Sequence, residues 1–354
     1  MTSRERVRNA MLREPVDRVP MDYCGNIAIN QKLMSHFKAN TYIELLEALH
    51  TDFLGVEPAY TGPRLHAEIE GRNVDPVWGI HTRWIEHSTG GYWDYCDFPL
   101  QEADAEKILS YPMPNPDDFD YDGTLDFCKE HSHFAIYAGN AGYGDIINTN
   151  GMLRGMEQVL VDLALDEEAG LLLTKRRLEI QLAKLERLID KCREHLTFLW
   201  LGEDLGTQHT PIISRELFLK HIRPWHKKFI DLAKSYGLPV MLHSCGSSSW
   251  AYPDFIEIGL DAVDTLQPEA ANMSPRYLKE TFGDKLTFHG CISTAGPLAY
   301  GTVTEVEQNV REVLEIMMPG GGYCLAPTHA VQDNTPLENV LKLYECGLEY
   351  GNYK

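Results

Sequence analysis

Short runs of β-branched and aromatic residues alternate along the chain with longer amphipathic stretches. This alternation is typical of a parallel sheet whose strands are joined by crossover helices. The pattern predicts eight strands: Arg18–Tyr23, Phe53–Glu57, Phe134–Gly139, Thr197–Gly202, Leu238–His243, Asp261–Leu266, Lys285–Gly290 and Gly321–Ala326. Eight such units predict an α/β fold, a single (β/α)8 TIM barrel that spans residues 1–354 as one domain.

The crossover helices are clearest in the second half of the chain, where the pattern predicts Asp166–Cys192, Ser214–Tyr236, Thr302–Met318 and Pro336–Leu348. By contrast, residues 58–133 are too many for a simple crossover and hold several aromatic residues among Gly and Pro. We expect this segment to be an insertion that caps the barrel mouth. Its residues Trp78 and Trp93 are candidates for the lining of a substrate pocket, together with Trp84. A hydrophobic flap or a subunit contact is the alternative.

Composition narrows the class of protein. The chain has 354 residues, 44% of them hydrophobic, which is enough for a large core without disulfides. Its formal net charge of −20 argues against binding to nucleic acid or to anionic membrane surfaces. Because no run of about 18 apolar residues and no apolar leader occurs, we expect a cytoplasmic protein.

Polar and ionisable residues gather where the predicted strands end. In (β/α)8 barrels, side chains at the carboxyl ends of different strands meet at one point and carry the chemistry. The first, third and sixth strands end near residues that we expect to contact a substrate: Tyr23, Asn26, Asn140 and Gln267.

The most informative strand end is the fifth, which carries His243 and Cys245. Residues i and i+2 of an extended strand point the same way, and imidazole with thiolate is a ligand pair that suits zinc. Further ligands should come from other strand ends. We rank His329 first, then Glu203 and Cys291, and finally Cys324. The alternative is a structural histidine beside a small buried thiol.

Glu203 and Asp204 follow an apolar run at the end of the fourth strand. Partial burial would raise a carboxyl pKa into the range used for proton transfer, so either residue could be a general acid. The alternative is a structural role, either at the helix that begins near Ser214 or in a hydrogen bond to Thr207 or Gln208.

The other cysteines and one histidine have weaker claims. Cys24 lies close enough to the first strand end to be functional, and His289 is expected to be a strand residue. Four cysteines are assigned to packing: Cys96, Cys128, Cys192 and Cys346.

Taken together, several segments resemble the uroporphyrinogen decarboxylase superfamily, which includes zinc- and corrinoid-linked methyltransferases. They are Met1–Val7, Glu14–Pro20, Gly202–Gln208, Leu242–Gly246, Ile256–Ala262 and Gly320–His329. The resemblance covers nearly the whole chain and implies a single (β/α)8 barrel.

The resemblance favours the methyltransferase branch. Decarboxylases of this superfamily carry an arginine-containing R-Q-A-G-R motif after the first strand, whereas residues 22–26 here read Asp-Tyr-Cys-Gly-Asn. The H-x-C zinc pair of the methyltransferases matches His243 and Cys245. Where that branch has a cysteine near the end of strand eight, this chain has His329, which also resembles a histidine of the decarboxylases.

This resemblance implies a zinc-dependent methyltransferase, with Zn²⁺ on His243, Cys245 and His329. A corrinoid (cobalamin) on a partner protein would carry the methyl group, and the other substrate would be a small methyl donor or a thiol acceptor. A homodimer is the expectation typical of the family. The second hypothesis is a zinc-free, decarboxylase-like lyase that uses Glu203, Asp204 and His329 as acid and base. The third is a protein that binds a corrinoid or tetrapyrrole without catalysis.

Overall fold

The computed structural model describes residues 1–87 and 90–353. Its centre is a parallel sheet of seven strands, in which each strand lies beside the next one along the chain. The strands are Phe53–Val56, Ala135–Gly139, Leu196–Gly202, Val240–Ser244, Ala262–Thr265, Thr287–Ile292 and Tyr323–Pro327. They match the second to eighth predicted strands to within two residues at each end, which confirms the predicted α/β class with a parallel sheet.

The first predicted strand, Arg18–Tyr23, is wrong as a regular strand among the described residues. It pairs with the last strand only locally. The N–H of Leu325 donates to the carbonyl of Pro20 at 2.8 Å, and the N–H of Asp22 donates to the carbonyl of Leu325 at 3.0 Å. Because Pro20 has no N–H, it cannot donate to a ladder at that position.

The same segment also contacts the other edge of the sheet. The N–H of Asp52, directly before strand Phe53–Val56, donates to the carbonyl of Met21 at 2.7 Å. Residues 20–22 therefore bond to the chain at both edges of the seven-stranded sheet, in the place where an eighth strand would lie.

A helix, Ser3–Met11, packs into the amino-terminal end of this curled sheet. It begins with a capping box in which Thr2 and Glu5 satisfy each other's backbone N–H groups. The hydroxyl of Thr287 donates to the carbonyl of Ala10 at 2.8 Å. The helix contributes Val7, Ala10 and Met11 to a buried cluster. The strands contribute Phe53, Ala135, Phe198 and Met241 to the same cluster. This end of the sheet is thus filled with apolar side chains.

Further α-helices connect the strands and extend the core. They are Ile27–Phe37, Tyr42–Ala48, Ala105–Ser110, Tyr121–Glu130, Ile147–Arg154, Met156–Leu165, Glu168–Cys192, Arg215–Leu217, Arg223–Ser235, Tyr252–Glu257, Pro275–Phe282, Pro297–Tyr300, Val303–Met317 and Leu337–Tyr350. A π-helical turn, Phe218–Ile222, and a 3-10 turn, Ser249–Ala251, complete the helical segments among the described residues. None of the helices in this part of the chain has the length and apolar character needed to cross a bilayer.

The predicted helix Ser214–Tyr236 is therefore divided by the π-helical turn. Its predicted start at Ser214 is confirmed, since the Ser214 hydroxyl caps the helix by accepting from the N–H of Leu217 at 3.3 Å. The predicted helix Asp166–Cys192 begins at Glu168, because Asp166 has a φ of 58° and ends the preceding helix in the left-handed conformation.

The described residues of the segment 58–133 form two small antiparallel sheets and two helices. One sheet pairs Ala59–Tyr60 with Phe119–Asp120, and the other contains Asn73–Val74, His81–His87 and Gly90–Tyr95. Arg154 links this segment to the helices that flank the parallel sheet. Its guanidinium donates to the carbonyls of Leu100 and Ala103 and pairs with Asp162. That the segment caps a barrel mouth stays a prediction.

Candidate metal centre at the carboxyl ends of the strands

The strand Val240–Ser244 carries His243 and leads directly into Cys245. As the period of two requires, both side chains lie on the same side of this strand. The Nε2 atom of His243 is 3.2 Å from the Sγ atom of Cys245. The side chain of His243 is only 12% exposed, so this pair lies at the inner rim of the strand ends.

His329 approaches the same sulfur from the last strand. Its Nε2 atom is 3.3 Å from Cys245 Sγ. The loop that carries it is held on both sides, because Thr328 donates its N–H to the carbonyl of Ile292 and Val331 donates its N–H to that of Cys24, each at 2.8 Å. The structure therefore brings together the three side chains that the sequence ranked first as metal ligands.

A carboxylate, that of Asp204, completes this group. Its Oδ1 atom accepts the backbone N–H of Cys245 at 2.8 Å and lies 3.7 Å from His243 Nε2, while Oδ2 accepts from Asn148. Burial would raise the pKa of Asp204, but His243 and the N–H of Cys245 outweigh it, so its pKa lies below the ordinary value. Among the described residues, ligand atoms of Asp204, His243 and Cys245 lie within 4.8 Å of one another, as a metal ion requires.

The donor atoms suit zinc. Tetrahedral zinc with ordinary bond lengths places a sulfur ligand about 3.5 Å from a nitrogen ligand. Cys245 Sγ is 3.2 Å and 3.3 Å from the imidazole nitrogens of His243 and His329, which is close to that spacing. His329 lies outside the group of ligand atoms within 4.8 Å of one another, so a zinc ion bound by both imidazoles would require His329 to move closer to the other ligands. Burial and the nearby Asp204 carboxylate raise the pKa of Cys245. A cation among these groups would offset both effects, as metals do for coordinating thiols.

A buried carboxylate, Asp264, orients His243, and the sequence reasoning missed it. The Nδ1–H of His243 donates to Asp264 Oδ2 at 2.6 Å, and Thr265 Oγ1 lies 2.7 Å from the same nitrogen. This contact leaves His243 Nε2 free to face Cys245. One signal was available: Asp264 is an acid within the fully buried strand Ala262–Thr265.

The second oxygen of Asp264 faces another histidine, His289, whose Nδ1 is 2.6 Å from Asp264 Oδ1. Burial would lower the pKa of His289, but Asp264 and Asp22 outweigh this and raise it to about 9. Burial would raise the pKa of Asp264, and the two histidines hold it below its ordinary value. His289 lies within a strand, as predicted, and its nitrogens face carboxylates.

Glu203 lies outside the metal group, although it was a predicted alternative ligand and a predicted catalytic acid. Its oxygens accept the backbone N–H groups of Ile146 and Ile147 at 2.9 Å and 3.0 Å, where the helix Ile147–Arg154 begins. The side chain is fully buried, and burial raises its pKa to about 8 despite these bonds.

The alternative that placed Glu203 or Asp204 on the helix near Ser214, or on Thr207 or Gln208, is wrong about the partners. The described hydrogen bonds of these two carboxylates go to residues 146–148 and to Cys245 instead.

The lower-ranked cysteines are packed among apolar side chains. Cys291 and Cys324 are each 1% exposed and belong to hydrophobic clusters. Neither belongs to the metal-like group found among the described residues. The four cysteines assigned to packing are buried, namely Cys96, Cys128, Cys192 and Cys346, whereas Cys24 is exposed.

The four predicted substrate contacts at strand ends have structural partners. The Tyr23 hydroxyl donates to Asn30 and its ring is buried, while Asn26 caps the helix Ile27–Phe37. The side-chain oxygen of Asn140 accepts the N–H of Gly142, and that of Gln267 accepts the N–H of Gly246 at 2.6 Å. Gln267 thereby holds the turn after Cys245, where Gly246 has a φ of 65°.

The tryptophans of the segment 58–133 lie in different settings. Trp78 is half-buried, and the guanidinium of Arg177 lies 5.5 Å from its ring centre. Trp93 is 54% exposed and packs edge-on against Trp84, its cross-strand partner. Their roles in substrate binding stay predictions.

Comparison with known proteins agrees with the resemblance seen in the sequence. Residues 204–350 match the model of the family described as uroporphyrinogen decarboxylase (URO-D), which confirms the predicted resemblance over this part of the chain. The matched region contains Asp204, His243, Cys245 and His329.

A curated relative is the methylcobamide:CoM methyltransferase MtbA of Methanosarcina acetivorans. It is 25% identical over 142 residues, which are 39% of this chain and 38% of the relative, so the match spans well under half of either protein. A solved methyltransferase from Methanosarcina mazei has the same fold, with a TM-score of 0.66, 18% identity and 99% of each chain covered.

Proposed function

We propose that this protein is a zinc-dependent methyltransferase of a corrinoid system. The observation that carries the proposal is the position of Cys245 Sγ, 3.2 Å from His243 Nε2 and 3.3 Å from His329 Nε2 at the carboxyl ends of the strands. Imidazole and thiolate donors that converge beside a carboxylate are the ligand set of catalytic zinc. We take the segment at residues 20–22, which bonds to both edges of the sheet, to close it into a barrel whose mouth holds this site.

In this proposal His243, Cys245 and His329 hold the zinc ion. Zinc bound there would keep a thiol acceptor as thiolate, or polarise the heteroatom of a methyl donor. Asp204 Oδ1 lies 3.7 Å from His243 Nε2 and is open enough to take the proton that a thiol loses, since its side chain is 26% exposed. Asp264 keeps the His243 ring in the orientation that directs Nε2 to the site.

A corrinoid on a partner protein would be the methyl carrier, and the second substrate would be a small methylated compound or a thiol. The activity of the relative MtbA, a methylcobamide:CoM methyltransferase, supports a corrinoid. The exposed position of His329 leaves the site accessible from solvent, which a bulky carrier needs.

Metal content and methyl transfer test this proposal together. We expect about one zinc per chain in anaerobically purified parent protein, and a loss of zinc in Cys245→Ala and His243→Ala. Cys291→Ala is the matched control, because it removes a buried thiol outside the group and should keep the zinc.

Transfer between free methylcobalamin and a thiol, or from a methylated compound to cob(I)alamin, should follow the zinc content across these variants. Equal transfer in the parent and in the double variant His243→Ala, Cys245→Ala would overturn the proposal. So would release of carbon dioxide from a carboxylated substrate by metal-free protein, which would favour a lyase.

A further inference from the structure

The buried side of the candidate metal centre is a chain of alternating carboxylates and imidazoles. Asp264 is 5% exposed, and each of its oxygens lies 2.6 Å from the Nδ1 atom of a different histidine, His243 and His289. His289 Nε2 then lies 3.2 Å from Asp22 Oδ2. This series of contacts begins at Asp22, in the segment before the first helix-connected strand, and continues through His289 and Asp264 to His243.

The hydrogen-bonding capacity of each group determines where the protons lie when both carboxylates are ionised. An ionised carboxylate only accepts hydrogen bonds, so His289, whose two nitrogens face Asp264 and Asp22, then donates from both and carries a positive charge. Asp264 then accepts one N–H from His289 and one from His243. With its Nδ1 protonated, His243 directs Nε2, at 3.2 Å, to Cys245.

The packing around His289 restricts the orientation of its ring. It is 2% exposed, and its ring lies edge-on to Phe53 and to Trp200, with ring centres 5.3 Å apart in both cases. Without the cation, Asp22 and Asp264 would be two buried carboxylates that no longer have an oppositely charged group between them. One of them would have to turn away or take up a proton.

We propose that His289 is a positioning residue for the metal centre: it holds the Asp264 carboxylate in place, and thereby the ring and tautomer of His243. The inference rests on the proposed zinc function, because it concerns how tightly that site binds metal. Asp264 bonds directly to His243, and replacing such a partner of a metal ligand changes metal affinity by about 10- to 100-fold. His289 lies one step beyond Asp264, so its effect should be smaller.

The test is zinc affinity, measured by competition with a chelator. We expect His289→Gln to bind zinc up to about tenfold more weakly than the parent, and Asp22→Asn to change the affinity in the same direction. His226→Gln is the matched control. His226 is also a fully buried histidine, but its described carboxylate contact is with Glu203, 3.5 Å from Nε2, and not with Asp22 or Asp264.

Nitrogen NMR of the metal-free protein, with labelled histidine, gives a second readout that needs no variant to fold. In the parent, both nitrogens of His289 should be protonated near neutral pH, and His243 should carry its proton on Nδ1. A neutral His289 in the parent would overturn the inference.

These outcomes distinguish the proposed function from the inference about His289. If the parent protein binds no zinc, the proposed function is wrong. The NMR signals then still show whether His289 positions His243. A parent that binds zinc, with a folded His289→Gln of unchanged affinity, removes this inference alone. Equal losses of affinity in His289→Gln and His226→Gln would likewise reduce His289 to a core residue and overturn it.

Discussion

Cys245 and His329 lie 84 residues apart in the sequence, yet Cys245 Sγ is 3.3 Å from His329 Nε2. The two residues follow different strands of one parallel sheet, and the carboxyl ends of such strands meet at one edge. Their contact places a second imidazole, from another strand, beside the group of Asp204, His243 and Cys245. Because His329 is on the surface, a substitution there can change metal binding without changing the stability of the fold.

We expect His329→Ala to weaken zinc binding by at least about tenfold while leaving the metal-free protein as stable as the parent. An exposed imidazole contributes little to folding, so the unfolding free energy should change by less than about 0.5 kcal/mol. Chelator competition and urea unfolding of the metal-free proteins measure the two effects. Unchanged zinc affinity would exclude His329 as a ligand.

Glu203 should make stability depend on pH. Its pKa in the folded protein is raised to about 8, whereas its ordinary value is 4.5, so the folded state holds this proton more tightly than the unfolded chain. Stability from this group is therefore lost as the pH rises from about 4.5 to about 8.

Glu203→Gln cannot titrate and should lose less stability than the parent between pH 5 and pH 8, as measured by urea unfolding of metal-free protein. The control is Glu130→Gln, which alters an exposed carboxylate. Parallel pH profiles for the parent and Glu203→Gln would contradict the assignment of this titration to Glu203.

Arg154 should hold residues 100–103 against the helices beside the sheet. Arg154→Met leaves Asp162 buried without its partner, which costs about 3–5 kcal/mol. Hydrogen exchange in residues 98–111 should also rise, since the carbonyls of Leu100 and Ala103 lose their donor.

The matched control for that variant is Arg187→Met. Arg187 pairs with Asp117 of the same segment, but both side chains are more than one third exposed. We expect a loss below about 1 kcal/mol there. Equal losses for the two variants would show that the Arg154 contacts do not anchor the segment.

Trp84 and Trp93 should stabilise their hairpin through each other. They are cross-strand partners with ring centres 5.5 Å apart in an edge-on arrangement. A double-mutant cycle with alanine should give a coupling of about 0.5–1.5 kcal/mol. The neighbouring cross-strand pair, Arg83 and Asp94, serves as a comparison on the same two strands. Its coupling energy should be smaller, because solvent screens charges at the surface. A coupling near zero for the tryptophans would contradict the prediction.

Seven strands could be predicted because each is a compact apolar run between polar turns. The segment at Pro20 resembles such a run, but it pairs only through single backbone hydrogen bonds.

The roles of two neighbouring carboxylates, Glu203 and Asp204, were harder to distinguish from the sequence. Successive residues of an extended chain point to opposite sides, so Asp204 faces Cys245 while Glu203 faces the helix start at Ile147. Neither composition nor motifs show which residues of a strand point to which side. The sequence therefore did not predict which of the two carboxylates would face the site.

Asp264 illustrates a different limit. A single acid in a four-residue strand carries no motif, and its partners, His243 and His289, come from the two neighbouring strands. Only the alignment of the three strands shows that one carboxylate serves both imidazoles.

The bonds between residues 20–22 and Leu325 have a consequence for how the chain folds. They join residues that lie far apart in the sequence, which makes them contacts of very high sequence separation. The two edges of the sheet therefore cannot be joined until Leu325 has left the ribosome, long after residues 20–22 have done so. Asp22 lies in the same closing segment and His329 follows the last strand, so we expect metal-binding competence to appear only once this segment has joined the two edges.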